Sequence, residues 1–269
     1  MRPRRRLGQH FLDPSWADRL VDLIEPRPTD GFLEVGAGRG ALTLPLARRA
    51  GHVTAVEIDS GLAAGLAPHL PGNVRLVTGD VLALDLSALL HADRREDGRL
   101  RVAGNLPYSV AVPILFRLLA VARDVPDLAD ATLMVQREVA ERLTARPGTR
   151  DYGVLTVFVR VHADVSELLR LPPGAFRPAP KVASTAVRLT FRPPLVVPVD
   201  PQGFERLVRG IFTQRRKTML NALKPLLEGS RQSSADALAK ADIDPRRRPE
   251  TLEVSDLARL ADILTARPR

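Results

Sequence analysis

Four consecutive residues, Asn105-Leu106-Pro107-Tyr108, place an amide, a rigid imino acid and an aromatic ring directly after the apolar run Leu100-Arg101-Val102-Ala103-Gly104. An asparagine carbonyl oxygen accepts a hydrogen bond from an exocyclic amine. Proline fixes its own φ and restrains the residue before it, so the neighbouring carbonyl is held in a defined direction. A tyrosine face stacks on a planar base. The combination is a recognition device for an amino-bearing ring. A plain turn at the end of a strand uses the same residue types, so the other motifs must decide between the two.

Three more polar groups close earlier apolar runs. The first is Glu34-Val35-Gly36-Ala37-Gly38-Arg39-Gly40, a glycine turn in which the backbone bends sharply and approaches a ligand closely. Gly36, Gly38 and Ala41 also fit a dinucleotide fingerprint, so the turn alone does not choose a cofactor. Glu57 follows in Val56-Glu57-Ile58-Asp59, placed to hold ribose hydroxyls, and Asp80 follows in Gly79-Asp80, suited to accept from an adenine amine. Each acid by itself reads as a helix cap or a solvated loop residue. In an open α/β sheet, however, ligands gather outside the carboxyl ends of the strands, and four groups in succession along that edge argue for a site.

The elements that must position them alternate. Short apolar runs at Gly31–Val35, Val53–Ile58, Val74–Val77, Leu100–Ala103 and Ala131–Val135 are separated by helical patterns near 40–50, 60–68, 84–91 and 111–122. Strands alternating with helices predict a parallel sheet with crossovers. Ahead of them, Asp13-Pro14 reads as a helix cap followed by proline at the first helical position. That helix runs to about Glu25 with Trp16, Leu20, Leu23 and Ile24 on its apolar face. Val154–Val161 and Ser184–Phe191 read as an antiparallel strand pair ending the sheet. The charged segment Asp93–Gly98 reads as a surface loop. A proline-studded linker at 193–200 separates a first domain, 1–192, from a second, 201–269, with helices only, near 202–212, 216–227, 233–241 and 255–264.

Composition narrows the chemistry. The 269 residues are 45% hydrophobic and 26% charged, ordinary for a globular protein, but carry a net charge of +9. That balance favours a polyanionic partner, nucleic acid before an anionic membrane surface, although arginine-rich genomic composition produces the same excess. No apolar run approaches the roughly 18 residues of a membrane span, and no apolar segment follows the basic Arg2–Arg6 arm as a secretory signal requires. Without cysteine there is no disulfide framework, thiolate metal site or cysteine nucleophile, and the five histidines show no ligand spacing. No metal is expected, and the location expected is cytoplasmic.

Taken together, the glycine turn, Glu57, Asp80 and Asn105–Tyr108 resemble S-adenosylmethionine-dependent N6-adenine methyltransferases, and more closely the ribosomal RNA adenine dimethyltransferase family in its small-subunit branch. The resemblance runs over nearly the whole chain. It includes Leu7–Leu12, Val135–Ala140, Phe176–Ser184, Phe212–Thr218 and Arg248-Pro249-Glu250. It implies a Rossmann-like α/β fold with a small helical C-terminal domain, a site for S-adenosylmethionine lined by His10, Leu12, Gly36, Glu57, Asp80 and Asn105, and no metal. Asn105, Leu106 and Tyr108 would carry the chemistry, Tyr108 and Phe176 would stack on the target base, and Arg215, Arg216 and Lys217 would hold the RNA backbone. His10 and the segment Ser109–Val112 depart from the usual pattern.

The function implied is dimethylation of N6 on two adjacent adenosines in the 3′-terminal hairpin loop of 16S ribosomal RNA during ribosome biogenesis. A monomer would act on small-subunit RNA within a pre-30S particle, away from any membrane. The rival readings are a large-subunit methyltransferase of the macrolide-resistance type, a non-catalytic RNA-binding assembly factor on the same fold, and a nicotinamide oxidoreductase, which leaves Asn105–Tyr108 unexplained.

Overall fold

A computed structural model of the chain describes residues 9–92, 94, 98–230 and 232–265. The arm Arg2–Arg6, the motif residues Leu7 and Gly8, most of the charged loop expected at 93–98, and Arg231 lie outside the described residues. The chain divides into two compact units, residues 1–140 with 164–192, and residues 141–163 with 193–269.

The first unit opens with a two-residue strand β1 (Phe11–Leu12) and helix α1 (Pro14–Ile24), which starts as its sequence requires, the Asp13 carboxylate accepting from the Ser15 N–H at 3.0 Å. Ala17, Leu20, Val21 and Ile24 are buried, and Leu23, expected with them, is exposed. Then come β2 (Gly31–Val35), α2 (Thr43–Ala47), β3 (His52–Glu57), α3 (Ser60–Leu66), β4 (Val74–Thr78), α4 (Leu86–Ala92), β5 (Leu100–Asn105), α5 (Ala111–Asp124), β6 (Leu128–Gln136) and α6 (Arg137–Thr144). After α7 (Val154–His162) the chain adds β7 (Ala163–Leu171), β8 (Phe176–Arg177) and β9 (Ser184–Phe191). The seven-stranded sheet runs in the order β4-β3-β2-β5-β6-β9-β7, with the first five parallel and β9 antiparallel to β6; β1 pairs with β8 separately.

Register explains why the site forms where it does. Glu34 pairs with Ala55 and Ala103, Ala103 with Thr132, and Thr132 with Arg188, so these residues share one row of one face. Alternate positions along a strand return to that face, which therefore also carries Glu57, Asn105 and Ser184 toward its carboxyl end and Arg101 and Asp130 toward its amino end. The same face packs the core of α1, Phe32, Ala55, Ala103, Met134 and Phe176, where each large side chain contributes about 1.5–3 kcal/mol by leaving water.

The segment Val154–Val161 is helix α7, not the expected strand, and the residue range 141–163 belongs to the second unit, not to the sheet domain that the sequence suggested. The β-branched run has high strand propensity, but its apolar residues recur with helical spacing: Val157 and Val161, one turn apart, are buried in the second unit's core with Tyr152 and Phe204. The Thr156 hydroxyl accepts from the Gly153 N–H at 3.2 Å and donates to the Arg142 carbonyl at 2.6 Å, pinning the first turn. The strand that completes the sheet is β7, immediately downstream. The rest of the second unit is α8 (Pro201–Thr213), α9 (Met219–Ala222), α10 (Ser234–Lys240) and α11 (Val254–Thr265). Tyr152 ties it together, donating to the Leu252 carbonyl at 2.9 Å.

Candidate active site

At the carboxyl edge of the first unit's sheet lies a cavity of about 260 Å³. Gly36, Gly38, Glu57, Asp80, Asn105, Leu106 and Tyr108 all line it, with His10 and Phe11. The turn after β2 needs its glycines: Gly36 has φ +81° and Gly38 φ +56°, a region where side chains are strained. A Cβ would meet only ordinary contacts, at 3.4 Å from the Phe11 ring on Gly38 and 3.5 Å from the Asn105 carbonyl on Gly36, so the positive φ is what calls for glycine.

The acids are wired into this turn. The buried Glu57 carboxylate accepts from the Gly38 N–H at 2.7 Å and from the Asp59 N–H at 2.9 Å, leaving lone pairs on both oxygens for hydroxyl donors. Asp80 accepts from the Leu82 N–H at 2.9 Å. Glu34, one row behind, is fully buried. Its carboxyl is pushed up to about 7, first by burial and further by the Glu57 charge, against the lowering effect of the nearby Thr43 hydroxyl. Glu34 Oε2 has no hydrogen-bond partner. Neither Glu34 nor Glu57 nor Asp80 forms an ion pair with an arginine or lysine among the described residues. An edge of uncompensated acids suits a cationic ligand and repels a pyrophosphate, and the Gly38 N–H is already occupied by carboxylate. The dinucleotide reading of the glycine turn is the poorer fit.

The amide clamp is preorganised. Asn105 Nδ2 donates to the His10 carbonyl at 2.7 Å, so Oδ1 is the end left to accept from a ligand. The Leu106 N–H is held by the Met134 carbonyl at 3.2 Å. The Tyr108 hydroxyl lies 2.7 Å from the buried Ser184 Oγ, and burial pushes its phenol up while that hydrogen bond opposes the shift. His10 stacks on Tyr108, ring centroids 5.3 Å apart at 29°, and its Nδ1 meets the Pro178 carbonyl at 2.7 Å.

Several expected residues stand elsewhere. Phe176 is 0% exposed in the core, so it offers no face to a base; its two-residue strand pairs Phe176 with Leu12. Leu12 is likewise core and does not line the cavity, because strand alternation turns Phe11 toward it instead. Arg215, expected on RNA, is committed within the second unit, to Glu250 at 2.5 Å and to the carbonyls of Thr149 and Arg150. Its neighbours Arg216 and Lys217 are exposed. Ser184 was visible only as the last residue of a motif, since nothing in the sequence pairs it with Tyr108, 76 positions away.

An open, mainly parallel sheet whose carboxyl edge joins a glycine turn, acids and an amide–proline–tyrosine clamp defines a Rossmann-like methyltransferase. Comparison with known proteins carries this further. A model described as "Ribosomal RNA adenine dimethylase" matches residues 1–266. The chain is 46% identical over 259 residues to "Ribosomal RNA small subunit methyltransferase A" of Nitrosococcus oceani, spanning 95% of this chain and 93% of the relative. It is 43% identical to the protein of the same description in Geobacter metallireducens, spanning 99% and 97%. Among solved structures it resembles the 23S rRNA methyltransferase ErmE, at 27% identity and TM-score 0.66 over 95% of this chain and 100% of that one. It shares the fold of a dimethyladenosine transferase from Plasmodium falciparum, at 24% identity and TM-score 0.76 over 93% and 96%. The chain belongs to the ribosomal RNA adenine dimethylase family. No helix among the described residues is long and apolar enough to cross a membrane.

Proposed function

We propose that this protein methylates the N6 amines of two adjacent adenosines in the 3′-terminal hairpin loop of 16S ribosomal RNA, using S-adenosylmethionine. The observation that carries the reading is the Asn105–Tyr108 clamp, its amide already turned by the His10 carbonyl, set beside an uncompensated acidic edge in a chain matching small-subunit relatives over nearly its full length. When bound, the cofactor supplies a methyl group on a positively charged sulfur.

Gly36 allows close backbone approach to that cofactor, Glu57 offers its free lone pairs to the ribose hydroxyls, and Asp80 accepts from its adenine amine. The target amine is a poor nucleophile because its lone pair is delocalised into the ring. Asn105 Oδ1 and the Leu106 carbonyl accept from N6–H and favour a pyramidal nitrogen aimed at the methyl carbon. The gain is mainly orientation and stabilisation of developing charge, so a strong base is not needed. Unstacking the base costs a few kcal/mol, less in a loop, and stacking on Tyr108 returns about 1–3 kcal/mol. Arg216 and Lys217 hold the RNA backbone. The substrate is the pre-30S particle, met by a monomer in the cytoplasm.

The test is transfer of labelled methyl from S-adenosylmethionine to small-subunit particles and to large-subunit RNA, each taken from cells lacking the gene, with nucleoside mass spectrometry. Dimethyladenosine confined to the small-subunit RNA is expected. Transfer to neither substrate, or to large-subunit RNA alone, overturns the reading.

A further inference from the structure

Tyr108 needs a second wall, and Phe176, buried in the core, does not provide one. Among the described residues the ring in stacking contact with Tyr108 is His10, with centroids 5.3 Å apart and planes 29° from parallel, inside the 4.5–7 Å range of productive aromatic pairs. One hydrogen bond to the ring and one to its backbone hold it there. Since a carbonyl only accepts, Nδ1 carries the hydrogen donated to Pro178 O at 2.7 Å, which fixes the tautomer and the ring's tilt. The His10 carbonyl receives Asn105 Nδ2 at 2.7 Å, tying the same residue to the amide of the clamp.

We propose that His10 is a positioning residue of the base slot, its imidazole backing Tyr108 so that the target adenine stacks on the opposite face. The proposal rests on the reading of this site as an adenine methyltransferase and replaces, for His10, an expected contact with the cofactor. At 5.3 Å between centroids there is no space for a third ring between them, and a ring tethered at Nδ1 on a backbone held by Asn105 is a backing and not a plug. The backing keeps the Tyr108 plane fixed while its hydroxyl is held by Ser184, so ring face and amide oxygen keep one mutual geometry.

The experiment compares wild type, His10→Ala and His10→Phe in three measurements: calorimetric affinity for S-adenosylmethionine, kcat and KM for methyl transfer to small-subunit particles, and the fluorescence of a hairpin RNA with 2-aminopurine at the target position. His10→Ala is expected to raise the RNA KM about tenfold, the order contributed by an aromatic pair, and to abolish the 2-aminopurine change, with cofactor affinity within about twofold of wild type. His10→Phe restores the ring and with it most of the KM and the fluorescence change. Loss of cofactor affinity in step with the ring overturns the proposal. So does tighter RNA binding by His10→Ala, or an alanine variant indistinguishable from wild type. If the wild type transfers no methyl to RNA, the functional reading fails instead, and the fluorescence comparison still reports whether His10 backs the stack.

Discussion

At the amino end of the central sheet Arg101 is 1% exposed, yet all three of its guanidinium nitrogens are used: on Asp130 at 3.0 Å, on Asp30 at 3.2 Å, and on the carbonyls of Ile24 and Glu25 that end α1. At the carboxyl end of the same face Glu34 and Glu57 lie together without a cation among the described residues, and Glu34 is pushed up to about 7. One end neutralises buried charge completely. The other leaves acids without a cation among the described residues and one buried carboxyl oxygen, Glu34 Oε2, without a hydrogen-bond partner. Buried charge costs stability unless paired, so the unpaired end has to be explained by something that binds there. The contrast separates charge that holds the fold from charge held for a cationic ligand.

The sharpest way to break this contrast is to unpair the amino end. Arg101→Met strands Asp130 in the core and leaves Asp30 with Arg99 and the Arg27 N–H alone, and is expected to cost about 3–5 kcal/mol in denaturant unfolding, with cofactor affinity of the folded protein unchanged. Asp30 supplies an acid signature. Burial alone would raise its carboxyl, but hydrogen bonds from Arg99, the Arg27 N–H and Arg101 hold it below the ordinary range. A depressed carboxyl stabilises the fold above its unfolded pKa and loses that contribution as pH falls through the folded value. Wild type therefore loses this support below about pH 4, and the methionine variant has less of it to lose. A loss under about 1 kcal/mol would place Arg101 among marginal ion pairs.

At the carboxyl end the largest effect falls on rate, not stability. Asn105→Ala removes the acceptor for N6 and is expected to lower kcat on the order of 10²–10³-fold, the range for deleting one preorganised hydrogen-bonding group. Its unfolding curve and RNA affinity should stay near those of wild type.

The difference between the ends also sets what the sequence could reveal. Glu34, Glu57, Asp80 and Asn105 were legible because each stands at or near the end of an apolar run, Glu34 directly before the glycine turn, and the strand-helix alternation orders them along one edge. Arg101 gave no such signal: it sits inside an apolar run, and its partners Asp30 and Asp130 lie in other elements. Phe176 and Leu12 read as site residues because they belong to site motifs, but pairing of the two short strands turns both inward. Val154–Val161 misled through β-branched propensity, which tertiary packing overrode. Arg215 looked like the centre of an RNA-binding cluster, yet Glu250, 35 residues away, claims it. In each case the missing information is a long-range partner, which local pattern does not carry.

Glu34 gives an effect of the opposite pH sign to Asp30. Its folded pKa lies above the unfolded one, so the native state holds an extra proton between about pH 4.5 and 7. Stability then falls as pH rises through that window, by about 1.4 kcal/mol per unit for one proton. Glu34→Gln keeps the shape and removes the titration, so its unfolding free energy relative to wild type should climb across the window and level off above it. Parallel curves for the two proteins would show that Glu34 ionises normally. If the negative edge serves a cation, the glutamine variant should also bind S-adenosylmethionine more weakly at pH 8, where wild type is ionised.

The smallest expected effect tests whether neutral bonds at the carboxyl end matter as ionic ones do at the other. Ser184→Ala removes one hydroxyl, and a single neutral hydrogen bond contributes about 0.5–1.5 kcal/mol, well below the Arg101 figure. Its distinguishing sign is spectroscopic. The chain has two tyrosines, and burial raises both phenols; the opposing pull comes from the Ser184 hydrogen bond at Tyr108 and from the Arg160 charge at Tyr152. Removing Ser184 should shift the Tyr108 phenolate transition upward in alkaline absorbance titration and leave Tyr152, which donates to a carbonyl in the second unit, where it was. A Tyr108 transition that does not move would mean that the hydroxyl pair is incidental, and that orientation of this ring rests on His10 and the surrounding packing.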